Sequence, residues 1–324
     1  MKRLLTALVA GLSVTACSSE GFAPTINAAG ATFPAPLYQA WGQSYNEVSG
    51  TQVNYQAVGS GAGVRQYTAN TVDFGASDAA ISDENIPEQG VVQIPTTGGA
   101  IAIVYNESSC PSDLRLTQEN LVDVYMGHID NWSELGCGDM TIVPVFRSDG
   151  SGTTKGFTAS LSAFSPRWAD EVGSGKAVDW PVGIGAKGNT GVAAQVQNVP
   201  GTIGYVNYGY VAQIASVTNV AALENASGQF VMPSAASASV GLAGIQLDDQ
   251  LRGSDPNPEG IGAYPIVSYT WILAYPEHKN NEITKDWLRY IMSDDAQNMS
   301  EELGYVPLPL ETRVAALERI EQMK

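Results

Sequence analysis

Three glycine- and hydroxyl-rich turns, each set between a strand pattern and a helix pattern, constrain this chain more than any other feature. The first is Gly30-Ala31-Thr32-Phe33-Pro34-Ala35-Pro36, ahead of a helix predicted over 34–47 from Leu37, Tyr38, Trp41 and Tyr45 at helical spacing. The second is Val58-Gly59-Ser60-Gly61-Ala62-Gly63, after a strand over 53–58. The third is Arg147-Ser148-Asp149-Gly150-Ser151-Gly152-Thr153-Thr154, between a strand over 142–146 and a helix over 153–162. A helix start leaves backbone N–H groups unpaired and carries partial positive charge, and glycine lets an anion approach them. One such turn reads equally well as a tight turn or a cap. Three in one chain, one of them carrying Arg147, point to a single oxyanion site beyond the carboxyl ends of the strands. None has the spacing of a P-loop.

The rest of the chain alternates in the same way, which predicts an α/β architecture. Strands are expected at 72–75, 91–94, 100–105, 202–206 and 264–275. Helices are expected at 116–125, with Thr117 as N-cap, and at 189–198, 283–303 and 311–323. The low-complexity stretch Ser234–Val240 reads as a surface loop. At 324 residues the chain exceeds what one core usually serves, so two lobes are expected. Acidic residues number 33 against 16 basic ones, which argues against nucleic-acid binding and against docking on anionic lipid. Two histidines, His128 and His278, are too few for a zinc site built on imidazoles, so no metal and no cofactor is expected. Gly75-Ala76-Ser77-Asp78-Ala79 falls one residue short of a nucleophile elbow.

Residues 1–16 read as a signal peptide: Lys2 and Arg3, then an apolar run from Leu4 to Val14 that is too short to span a bilayer. Val14-Thr15-Ala16-Cys17 resembles the bacterial lipobox, which implies acylation of Cys17 and a tether over 17–26. Removing the two leader cations takes the net charge from −17 to −19. With Cys17 used by the anchor, Cys110 and Cys137 remain, and in an oxidising compartment they are expected to close a loop as a disulfide, the alternative being two free thiols.

Gly30–Pro36, Asn70–Asp78, Arg147–Thr153, Lys187-Gly188-Asn189 and Gly201–Val206 resemble the phosphate-binding proteins of bacterial ABC transporters, the PstS type, over essentially the whole mature chain. The resemblance implies a two-lobed periplasmic-binding-protein fold of type II, with a hinge and a central cleft. Lobe I is expected over 27–98 plus 265–324 and lobe II over 99–264. It implies a monomeric receptor that is no enzyme, takes phosphate and delivers it to membrane permease subunits. It further implies phosphate-binding roles for Thr32, Phe33 (through its N–H), Ser60, Asp78, Arg147, Ser151, Gly152 and Thr153, with Asp149 bracing Arg147. The second turn departs from the family's Gly-Ser-Ser-Gly-Gly, but Ser60 is retained.

Asp78 is the informative residue, because a carboxylate in an anion site makes sense only against a ligand that carries a proton to donate. Phosphate does so near neutrality and sulfate does not. Two alternatives remain: a phosphomonoesterase using Ser60, Ser77 or Ser151, and a receptor for another oxyanion.

Overall fold

The computed structural model describes residues 23–111, 113–214 and 218–324. Cys17 and the leader lie outside the described residues. The chain opens with β1 (Thr25–Gly30), α1 (Ala35–Ser49), β2 (Gln52–Ala57), α2 (Ser60–Thr68) and β3 (Phe74–Ser77). Then follow β4 (Val92–Tyr105), β5 (Arg115–Leu116), α3 (Gln118–Met126), β6 (Val143–Arg147), α4 (Gly152–Phe164), α5 (Pro166–Glu171), β7 (Ile184–Ala186), α6 (Gly188–Asn198) and β8 (Thr202–Asn207). The remainder holds α7 (Val211–Ile214), β9 (Asn219–Val220), β10 (Ala222–Glu224), β11 (Phe230–Val231), α8 (Ala235–Ala243), β12 (Val267–Ala274), α9 (Asn281–Ile291), α10 (Asp294–Glu302) and α11 (Leu310–Glu321).

The strands order as β2-β1-β3-β12-β4-β8-β6-β7, with β9 on the edge of β4; β11, β10 and β5 make a separate small sheet. Strand β4 belongs to both halves. Its residues 92–100 pair antiparallel with β12, and its residues 101–105 pair antiparallel with β8. In one half β1, β2 and β3 run parallel; in the other β6, β7 and β8 do. Parallel strands point their carboxyl ends the same way, so all the predicted anion turns leave one end of each half-sheet.

Four expectations need correcting. The strands predicted at 91–94 and 100–105 are the single strand β4. Pro95, which cannot donate to the ladder, is absorbed by a bulge: Trp271 pairs with Pro95 and Thr270 with Thr97, so Thr96 is left over. The helix predicted over 283–303 is two helices, because Ser293 turns extended and its side chain caps α10 by accepting from Ala296 N–H. Ser234–Val240 is the start of α8, where Ser234 and Ser237 form a reciprocal cap and Ala238, Gly241 and Leu242 are buried. The tether gives way to β1 at Thr25 rather than Asn27, because Ile26 is fully buried in the core. Thr117 does cap α3, through a capping box with Asn120.

Cys110 and Cys137 are joined as a disulfide. It closes a loop of 27 residues, which the chain-entropy account values at about 3.5 kcal/mol.

Candidate anion site

The turn after β1 is held by its carbonyls. Tyr55 OH donates to Ala31 O at 2.6 Å, Tyr210 OH to Thr32 O at 2.6 Å and Tyr305 OH to Phe33 O at 2.8 Å. Pinning three successive carbonyls fixes the peptide planes, and hence the direction of the N–H groups between them. Phe33 N–H itself has no acceptor among the described residues, and neither do the N–H groups of Ser60 and Thr153. These are orphan donors at or just before the starts of α1, α2 and α4.

Ser60 sits at the first position of α2 and is buried. Its hydroxyl oxygen accepts from Gly152 N–H at 3.0 Å and from Asp78 N–H at 3.3 Å, and it donates toward Asp78 Oδ2 at 3.4 Å. Asp78 follows β3 directly and is 5% exposed. Its Oδ1 accepts from Thr270 Oγ1 at 2.9 Å and its Oδ2 from Thr153 Oγ1 at 3.2 Å. Burial pushes the Asp78 carboxyl up to about 6, against the opposing pull of the Thr270 bond, Arg147, Thr153 and Ser60. At neutral pH it is therefore mostly an ionised acceptor.

Arg147 ends β6 with its side chain 1% exposed. Its Nε and Nη2 donate to the two oxygens of Asp149 at 2.7 and 2.6 Å, a bidentate pair. Nη1 is left to point at Thr153 Oγ1, 3.5 Å away. Burial works against the charge on Asp149, but the Arg147 bonds and the Gly188 N–H, at 2.9 Å, outweigh it and hold the carboxyl below its ordinary range. Asp149 thus takes most of the arginine's charge and fixes its plane. Ser151 is the N-cap of α4, accepting from Thr154 N–H at 3.0 Å.

The structure thus gathers all eight predicted site residues and Asp149 where the two halves meet. The halves touch through the site's own groups. Gly61 N–H donates to Gly150 O at 2.8 Å, and a Cβ on Gly152 would lie 2.7 Å from Asp78 Cβ and 2.8 Å from its backbone. Sequence reasoning assigned no role to Asn189 or Thr270. Asn189 Nδ2 donates to Thr32 Oγ1 at 2.8 Å and to Thr153 Oγ1 at 3.2 Å, and its Oδ1 accepts from Asn207 N–H at 2.8 Å. Its signal was its place in the Lys187-Gly188-Asn189 motif; Thr270 gave none. No serine of the site is paired with an imidazole: His128 lies by Asp123 and His278 by Asp73.

A family model described as a PBP superfamily domain matches residues 17–295. The chain is 39% identical over 307 residues to the phosphate-binding protein PstS of Pasteurella multocida, covering 89% of this chain and 88% of that one. The chain belongs to the PstS family. The PstS protein of Xylella fastidiosa, strain Temecula1, is 38% identical over 302 residues, covering 88% of this chain and 81% of the relative. Among solved structures, a phosphate-binding protein from Stenotrophomonas maltophilia superposes with a TM-score of 0.72 at 21% identity, over 91% of this chain and 93% of that one. That likeness establishes the shared two-lobed α/β fold, which fits the half-sheets joined through β4. No helix of the described residues is long and apolar enough to cross a membrane.

Proposed function

We propose that this PstS-family protein is a receptor for inorganic phosphate that closes its two lobes on the anion and hands it to the permease of an ABC importer, catalysing no reaction. The observation that carries the reading is Asp78: a buried carboxylate inside a ring of donors is useful only to a ligand that brings its own proton. The remaining groups supply donors. They are the hydroxyls of Thr32, Ser60, Ser151 and Thr153, the unpaired N–H groups of Phe33, Ser60 and Thr153, the Gly152 N–H once it leaves Ser60 Oγ, and the free edge of Arg147. A buried dianion is compensated by many fixed dipoles and charge-assisted hydrogen bonds, each worth about 1.5–3 kcal/mol. A single opposing ion would be largely spent on Asp149.

Supporting the division into lobes near residues 98 and 265, β4 changes partner from β12 to β8 between Ala100 and Ile101. Acylation at Cys17, after export and removal of residues 1–16, would hold the receptor at the outer face of a membrane. A phosphatase role is disfavoured by the lack of any imidazole beside the serines.

Isothermal titration in phosphate-free buffer tests the reading. Phosphate should bind and sulfate should not, and Arg147→Ala should abolish detectable heat at micromolar phosphate. Equal binding of sulfate and phosphate would defeat the argument from Asp78.

A further inference from the structure

The chain carries 33 acidic residues against 16 basic ones, so its long-range field repels the anion it is proposed to bind. Two cations beside the site stand outside the protein's network of ion pairs. Lys155, on the first turns of α4, has no carboxylate partner among the described residues; its Nζ donates only to Ser174 Oγ at 3.0 Å. Lys176 makes no side-chain hydrogen bond or ion pair among the described residues, and its carbonyl accepts from Ser151 N–H at 2.8 Å, which holds it against the third turn. Lys155 and Asp78 share the wall of a cavity of about 360 Å³, which runs between α4, the turn after β3 and strand β12. Partial burial lowers the Lys176 ammonium; the Asp78 carboxylate pulls it back up and Lys155 pushes it down, so the two lysines and the aspartate feel one another.

Two ammonium groups without a carboxylate partner, beside Asp78 and the third turn on an otherwise acidic surface, are free to attract an arriving anion. We propose that Lys155 and Lys176 form an electrostatic gateway that draws phosphate into the cleft against the protein's net charge. This rests on the phosphate reading above. Neither ammonium is among the donors gathered around Asp78 and Arg147, so the pair acts on arrival rather than on retention. Charges at a rim change the association rate and its salt dependence, whereas groups that hold the ligand change the dissociation rate. At physiological salt fields fade over about 8 Å. Lysines beside the site therefore count for more than distant carboxylates.

The test is stopped-flow binding of inorganic phosphate to the Lys155→Gln/Lys176→Gln double variant across a salt series. Lys279→Gln, which removes one positive charge away from the site, serves as the control. It is exposed and follows the end of β12 remote from Thr270 and the site. The double variant should associate about 5-fold more slowly at 10 mM salt, converge to within about 2-fold of wild type at 0.5 M, and keep its dissociation rate. An unchanged association rate at low salt overturns the gateway, as does a loss that persists at high salt or appears only in dissociation. So does an equal slowing in Lys279→Gln. A wild-type protein that binds no phosphate overturns the functional reading and the gateway together, whereas normal equilibrium binding with wild-type kinetics in the variant overturns the gateway alone.

Discussion

Replacing Asp78 by Asn should make the ligand-free protein more stable at neutral pH, although it removes a buried carboxylate that accepts three hydrogen bonds. The reasoning is one of linkage. In the folded chain the carboxyl holds its proton up to about 6, mainly because it is buried, and in the unfolded chain only to its ordinary 3.8. Between those values the folded state binds more protons, so stability falls as pH rises from about 4 to about 6 and stays lower above that. At about 1.36 kcal/mol per pH unit, the ionised carboxylate costs roughly 3 kcal/mol at pH 7. An Asn amide must find acceptors where the carboxylate found donors. Ser60 and Thr153 oxygens already accept two bonds each, so their hydroxyls keep donating to the Asn Oδ1, while Thr270 Oγ1 can turn to accept from its Nδ2, which leaves about 2–3 kcal/mol of net gain. For a chain of this size that is a rise of about 3–5 °C in Tm. The assay is thermal unfolding of both proteins in phosphate-free buffer from pH 4 to 8. The gain should be full at pH 7 and vanish by pH 4. A variant less stable at pH 7, or a gain that persists unchanged at pH 4, would refute the claim that burial governs this carboxyl.

Three further outcomes follow from the geometry. Thr270→Val removes the 2.9 Å donor that holds the Asp78 carboxyl down, so the pH at which stability declines should move upward; an unmoved midpoint in the same pH series would count against that bond. Gly152→Ala puts a methyl 2.7–2.8 Å from Asp78, which should weaken phosphate binding by about 5- to 150-fold by titration, at 1–3 kcal/mol of overpacking. Unaltered affinity would mean that the lobes do not meet this way when occupied. Cys110→Ser/Cys137→Ser should lower urea stability by about 3.5 kcal/mol and leave phosphate affinity within two-fold, since the bridge staples a peripheral loop.

Much of the site was legible because its chemistry is local. Thr32-Phe33, Ser60, Asp78 and Arg147–Thr153 each sit where a strand gives way to a turn, so short segments carry both the residue and its position. The groups that were not legible act across long stretches of chain. Thr270 reaches Asp78 over 192 residues, Asn189 reaches Thr32 over 157, and Tyr305 reaches Phe33 over 272. Each is an ordinary strand, helix or loop residue until the sheet is assembled. The misread elements have local causes too. Pro95 and Gly98-Gly99 fall between the two predicted strands, yet a bulge and a paired central position carry β4 straight through them. In α8, serines act as both members of the capping box, where Glu or Gln is the usual second member.

Strand β12 lies in the sheet between β3 and β4, yet it comes almost 200 residues after β3 in the chain. A polypeptide emerging from the ribosome or from an export channel therefore carries most of both halves with a missing rung in the first. Asp78 then has no Thr270 to bond, and β3 has no neighbour on that side. Capture competence arrives late and all at once, when residues 267–274 slot into place. Any truncation upstream of that segment should leave the nutrient trap unsprung, however complete its loops look on paper.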